Sequence, residues 1–98
     1  NGMIFAIYGI YDYYRVTKDE SAKSLLQASI ATIKKYIHKF RRENEYSFYC
    51  LKHEVPNEGY HKVHIEQLFQ LHKITGDDYF KEMAEKFTED DVVMEAEK

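Results

Sequence analysis

Hydrophobic and polar positions along the chain mark out four helices and one stretch that breaks the helical period. From Met3 to Tyr14 nearly every side chain is apolar or aromatic. They cover all sides of a 3.6-residue wheel, which predicts a helix buried over most of its surface. Tyr8, Tyr11 and Tyr14 recur at helical spacing and read as packing residues. So short a chain offers few partners for such a helix, and Asn1 and Gly2 supply no convincing cap. The expectation is a fragment that begins within a larger protein and self-associates through this exposed apolar face. Thr17 and Glu20 then have capping-box spacing. The helix they introduce is expected to reach about Arg42. Leu26, Ile30, Ile33, Ile37 and Phe40 form its apolar stripe, with Lys34, Lys35, Lys39 and Arg41 on a solvated outer face.

Residues 45–56 lose that period. Tyr46, Phe48 and Cys50 alternate with Ser47, Tyr49 and Leu51, the pattern of a short extended or hairpin segment near residues 45–55. Pro56 to Gly59 supply loop chemistry. A third helix is predicted from about Tyr60 to Ile74, with Ile65, Leu68, Leu71 and His72 on one face and Gly76 just past its end. Asp77 and Asp78 open a fourth, whose apolar face is Tyr79, Phe80, Met83, Ala84 and Phe87. The acidic residues 89–98 are expected to fray. The short link around Gly76 makes these two helices an antiparallel hairpin. The fold class is therefore all-α, built from antiparallel helical hairpins.

At 98 residues the chain is one domain at most. A single cysteine, Cys50, excludes an internal disulfide framework. No apolar run approaches the roughly 20 residues that span a bilayer, so no membrane insertion is expected in this segment. No leader pattern opens the chain, and the compartment is not readable from it. The net charge of -3 hides an asymmetry. Residues 77–98 carry nine acids against three bases, leaving a net +3 on residues 1–76. That cationic, Tyr- and His-rich part suits an anionic ligand. Nucleic acid is not expected, because the bases form no extended stripe.

The residues with most chemistry are Tyr60, His61 and His64, with Tyr49, Lys52 and His53 shortly before them. On a helix Tyr60, His61 and His64 can face one cleft. A metal reading would use His61 and His64 with His53 as third ligand. No Glu stands in a metalloprotease arrangement and Cys50 falls across the pleat from His53, so no metal is expected. In a structural reading the histidines and tyrosines satisfy each other's hydrogen bonds. In an acid/base reading Tyr49 and Tyr60 exchange protons with a substrate, and a neighbouring cation must lower phenols that ordinarily titrate near 10. Nucleophilic catalysis by Cys50 has little support. Residue patterns alone favour a non-catalytic helical module that binds a glycan or a protein.

Three runs taken together resemble the C-terminal domain of the D-glucuronyl C5-epimerases. They are Asn1 to Asp12 (Asn-Gly-Met-Ile-Phe, then Tyr-Gly-Ile-Tyr-Asp), Phe48 to His53 (Phe-Tyr-Cys-Leu-Lys-His) and Tyr60 to Leu68, which is similar to the family's Tyr-His-x-x-His-Ile-x-Gln-Leu signature. The resemblance covers residues 1–88. It implies part of an α/α-toroid-like domain whose parent enzyme converts glucuronic to iduronic acid residues in a polysaccharide such as heparosan. By resemblance, the catalytic tyrosines fall on Tyr49 and Tyr60, and the basic residue beside the uronate on Lys52, where the family usually has Arg. Asn1 and Phe5 fall on positions lining the cleft, and His53, His61 and His64 are placed to tune the phenols or bind hydroxyls. The scheme requires no cofactor. Its partners are a uronic-acid polysaccharide and the rest of the parent chain. The family's Glu-Tyr-Pro motif belongs upstream of Asn1, so the isolated chain is expected to be inactive. A uronate lyase, which shares the proton abstraction, and the binding module stand as alternatives.

Overall fold

The structure, a computed structural model, describes residues 2–48 and 56–98. It divides into two units, Asn1–Tyr36 and Ile37–Lys98. The first is a pair of packed helices, α1 (Gly2–Thr17) and α2 (Glu20–Tyr36). Lys18 ends α1 in the left-handed region at φ 57, and its N–H donates to the Tyr14 carbonyl at 2.8 Å. The expected capping box does not form. Thr17 Oγ1 instead donates back to the Tyr13 carbonyl, and Asp19 Oδ1 caps α2 by accepting the Ser21 N–H at 2.8 Å. A free carboxylate one residue from the helix start is the better acceptor for that orphan donor.

Nor is α1 buried on most sides. Ile4 and Ile7 are buried, whereas Phe5, Tyr13 and Val16 are more than half exposed. An apolar groove of about 520 Å³ lies between α1 and α2, lined by Ala6, Gly9, Ile10, Tyr13 and Leu25 among others. The helix expected to reach Arg42 stops at Tyr36. Its last turn tightens into a 3₁₀ turn, Ile37–Phe40, at the start of the second unit.

That second unit is organised on α3 (Glu58–Thr75) and α4 (Asp78–Ala96), packed as the predicted hairpin. Asn57 Oδ1 caps α3 through the Tyr60 N–H at 2.9 Å, and Asp77 Oδ1 caps α4 through the Tyr79 N–H at 2.9 Å. Gly76 sits at φ 69 and donates to the His72 carbonyl, which explains glycine at this position. From α3 the core takes His61, His64, Leu68 and Leu71; from α4 it takes Phe80, Met83, Ala84 and Phe87. Phe80 and Phe87 are completely buried, each worth about 1.5–3 kcal/mol of apolar transfer.

Helix α4 continues to Ala96, with Asp90 fully buried and Asp91 and Glu95 engaged in ion pairs. Between the 3₁₀ turn and α3, isolated antiparallel bridges join Arg42 to Glu45 and Phe48 to Pro56, with no strand among the described residues. The remainder of the expected extended segment lies outside the described residues. No helix among the described residues is long and apolar enough to cross a membrane.

Candidate functional site

The first two turns of α3 bring His61 and His64 onto one side, three residues apart. Ser47 meets both of them. Its N–H donates to His61 Nδ1 at 2.8 Å, and its Oγ lies 2.9 Å from that nitrogen and 2.8 Å from His64 Nδ1. All three residues are buried. His61 Nε2–H donates to the Phe87 carbonyl at 2.7 Å, so its Nδ1 is the acceptor. Counting donors then selects one arrangement. With His64 protonated at Nδ1, that N–H donates to Ser47 Oγ, and the Ser47 hydroxyl and N–H share the single lone pair of His61 Nδ1. The opposite tautomer would leave a buried N–H without an acceptor among the described residues. His64 Nε2 is buried with no hydrogen-bond partner among the described residues, and the Phe40 and Phe87 rings stand edge-on to the imidazole. Burial above all, with a smaller contribution from the neighbouring His61, pulls His64 down to about 4, so it is neutral at pH 7.

A second cluster holds the chain on either side of this one. Asp90 takes a two-point contact from Arg41, with Nε to Oδ2 at 2.9 Å and Nη2 to Oδ1 at 3.0 Å, and also accepts the Asn44 N–H at 2.7 Å. Asn44 stands at φ 62, a conformation that asparagine tolerates better than most residues. One turn on, Lys62 reaches Asp91 at 3.1 Å and Glu95 at 3.5 Å, while Lys98 bridges Glu58 and Glu95. Tyr46 donates its hydroxyl to Glu95 and lays its ring edge against His61. Hydrogen bonds from Lys98 and Tyr46 hold Glu95 down at about 2, and its bond to Asp91 raises Lys62. Arg41, expected on a solvated face, is instead the partner of a buried carboxylate. Lys34, Lys35 and Lys39 are exposed.

Against known families, the model described as D-glucuronyl C5-epimerase C-terminus matches residues 1–89. The chain belongs to the D-glucuronyl C5-epimerase C-terminal family. No curated protein and no solved structure matches it. In this epimerase domain the Tyr-His-x-x-His-Ile-x-Gln-Leu run lies on the first three turns of α3. Tyr60 is half-buried there, and His61 and His64 point into the core rather than into an open cleft. The reason is visible in the spacing: residues 61, 64, 68 and 71 continue one stripe with Leu68 and Leu71. The hydrogen-bonded, structural reading of the two histidines is the one their contacts fit. Phe5 is exposed on α1, edge-on to Tyr8. Asn1, Tyr49, Lys52 and His53 lie outside the described residues. Among the described residues no three His, Cys, Asp or Glu side chains converge on a metal position.

Ser47 and Asp90 escaped the reading of the sequence. Asp90 had a signal: it stands three residues beyond Phe87, on the stripe of Phe80, Met83 and Phe87. An acid on an apolar stripe needs a buried partner. Ser47 had only its place among aromatic neighbours.

Proposed function

We propose that this domain is the C-terminal part of a glucuronyl C5-epimerase acting on a uronic-acid polysaccharide, with its helical hairpins as elements of an α/α toroid. The family match carries this reading, and the intact Tyr60–Leu68 signature at the start of α3 supports it. The C5 hydrogen of a uronate is α to a carboxylate. It becomes removable when the carboxylate charge is offset and the enolate-like intermediate is stabilised. Inversion takes a proton from one face and returns one to the other, which calls for two acid/base groups flanking the ring. In this proposal Tyr49 and Tyr60 are that pair. Lys52 offsets the uronate charge, as a point charge in place of the two-pronged arginine contact. His53, Asn1 and Phe5 line the cleft, and the buried His61 and His64 act on the site indirectly.

The test is solvent deuterium entering C5 when the full-length protein is incubated with heparosan or another glucuronan. Incorporation is expected, and no incorporation with any glucuronan refutes the reading. An unsaturated, ultraviolet-absorbing terminal sugar would instead identify a lyase. Activity that survives both Tyr49→Phe and Tyr60→Phe would remove the tyrosines from the chemistry.

A further inference from the structure

We infer that Asn57 is a positioning residue for Tyr60 in the proposed reaction. The inference rests on the epimerase reading, with Tyr60 as an acid/base group, and it concerns one side-chain bond: Asn57 Oδ1 accepts the Tyr60 N–H at 2.9 Å.

Tyr60 occupies a stretch of helix that unwinds easily. It is the third residue of α3, and the N–H groups of a first turn have no partner within the helix. Gly59 stands directly before it, and glycine loses more conformational freedom on entering a helix than any other residue. Tyr60 itself is half-buried. The fixed point after it is His61, fully buried and donating from Nε2 to the Phe87 carbonyl at 2.7 Å. The fixed point before it is Asn57, whose N–H donates to the Ser47 carbonyl at 3.2 Å and whose carbonyl accepts the His61 N–H at 2.9 Å. Between these two points the Asn57 side chain takes hold of the Tyr60 backbone directly.

Helix α4 supplies the comparison. Asp77 Oδ1 accepts the Tyr79 N–H at the same 2.9 Å, and that first turn is also anchored by Phe80, which is completely buried. The two caps contribute similar stability. They differ in what they hold, because the cap of α3 holds a tyrosine to which the proposed reaction assigns a proton transfer. Such a group has to come within about 2.6–3.2 Å of its target, and a displacement of about 1 Å can cost a hundredfold in rate. Fraying too slight to unfold the domain is therefore enough to slow the reaction.

The test is a pair of cap deletions in the full-length protein, with C5 deuterium incorporation as the assay. Asn57→Ala deletes the bond to Tyr60 and leaves the backbone bonds of residue 57 in place. It is expected to lower kcat about fivefold, the factor equivalent to a cap of about 1 kcal/mol, with KM within about twofold. Asn57→Ser restores a neutral oxygen acceptor and is expected to bring kcat back to within about twofold of wild type. Asp77→Ala removes the matching cap from α4 and is expected to leave kcat unchanged while lowering the melting temperature by a similar amount. Should Asn57→Ala not fold, Asn57→Gly, a milder cap loss, is expected to lower kcat in the same direction. Full kcat in the folded cap deletion, an equal loss in Asp77→Ala, a loss confined to KM, or no rescue by serine would overturn the inference. Full activity in Tyr60→Phe would overturn it too, leaving the epimerase reading intact. Wild-type protein that incorporates no deuterium would instead overturn that reading, and positioning for the reaction with it.

Discussion

Acid should destabilise this domain through one identified side chain. His64 titrates at about 4 in the fold, against 6.5 for an unconstrained imidazole, because burial opposes its charge and His61 adds to the opposition. At pH 7 both the folded and unfolded chains carry it neutral, and its contribution is fully present. As the pH falls through 6.5 the unfolded chain takes up the proton first, so the equilibrium moves toward unfolding. The slope approaches about 1.4 kcal/mol per pH unit and the effect levels off below about 4. By pH 5 the loss from this residue alone is about 2 kcal/mol.

Urea unfolding at pH 7 and pH 5, followed by far-ultraviolet circular dichroism, measures the difference directly. His64→Asn retains a group near Nδ1 for Ser47 but cannot titrate. The variant should therefore lose about 2 kcal/mol less than the wild type over the same interval. NMR titration of the His64 ring hydrogens gives the midpoint independently. A midpoint near 6.5, or equal losses in the two proteins, would show that His64 is not held neutral by the core.

Three further outcomes follow from the same geometry. Asp90→Asn removes the charge opposite Arg41, whose side chain remains 22% exposed to water; a loss of about 2–3 kcal/mol in urea unfolding is expected, below the full range for a dry pair, and a change under about 0.5 kcal/mol would contradict the clamp. Gly76→Ala meets no atom within 4 Å, so its effect isolates the φ of 69; a loss of about 1 kcal/mol is expected in thermal unfolding, and an unchanged melting temperature would count against the left-handed cap. Lys98→Ala should let the Glu95 carboxyl rise from about 2 toward its ordinary range, with little change in stability because the groups are exposed; a carboxyl titration by NMR that leaves Glu95 in place would refute the ion pair.

The sequence exposes the hairpin of α3 and α4 because three independent signals agree there: an apolar stripe on each helix, acids at the start of α4, and a glycine between them. It misplaces the start of α2 because Thr17 and Asp19 both offer an oxygen acceptor, and spacing does not reveal which one the backbone presents. It overstates the burial of α1 because aromatic residues on every side are compatible with packing and with exposure, and only the neighbours decide. The histidines are the informative case. His61 and His64 belong to the family signature and also to the helical stripe. Hydropathy assigns imidazole to the polar class, so the stripe seems to begin at Ile65 and the histidines seem free for a cleft. Geometry resolves the conflict through Ser47, whose hydroxyl lets two imidazoles occupy core positions without two unpaired donors.

The charge asymmetry has a similar explanation. Acids concentrated in residues 77–98 suggest a solvated tail, and the balancing bases suggest an open cationic surface for an anionic polymer. In the folded unit part of each set meets: Asp90 holds Arg41, Asp91 holds Lys62, and Glu95 joins Lys62 and Lys98. Arg41 and Lys62 are thus committed to fixing the chain on both sides of residues 49–55. An anionic polysaccharide cannot be drawn to this unit by those bases without breaking the pairs. In the proposed reaction the uronate charge is met at the sugar itself, by Lys52. Raising salt should therefore weaken substrate binding by at least the one contact at Lys52, and binding unchanged by salt would count against that role.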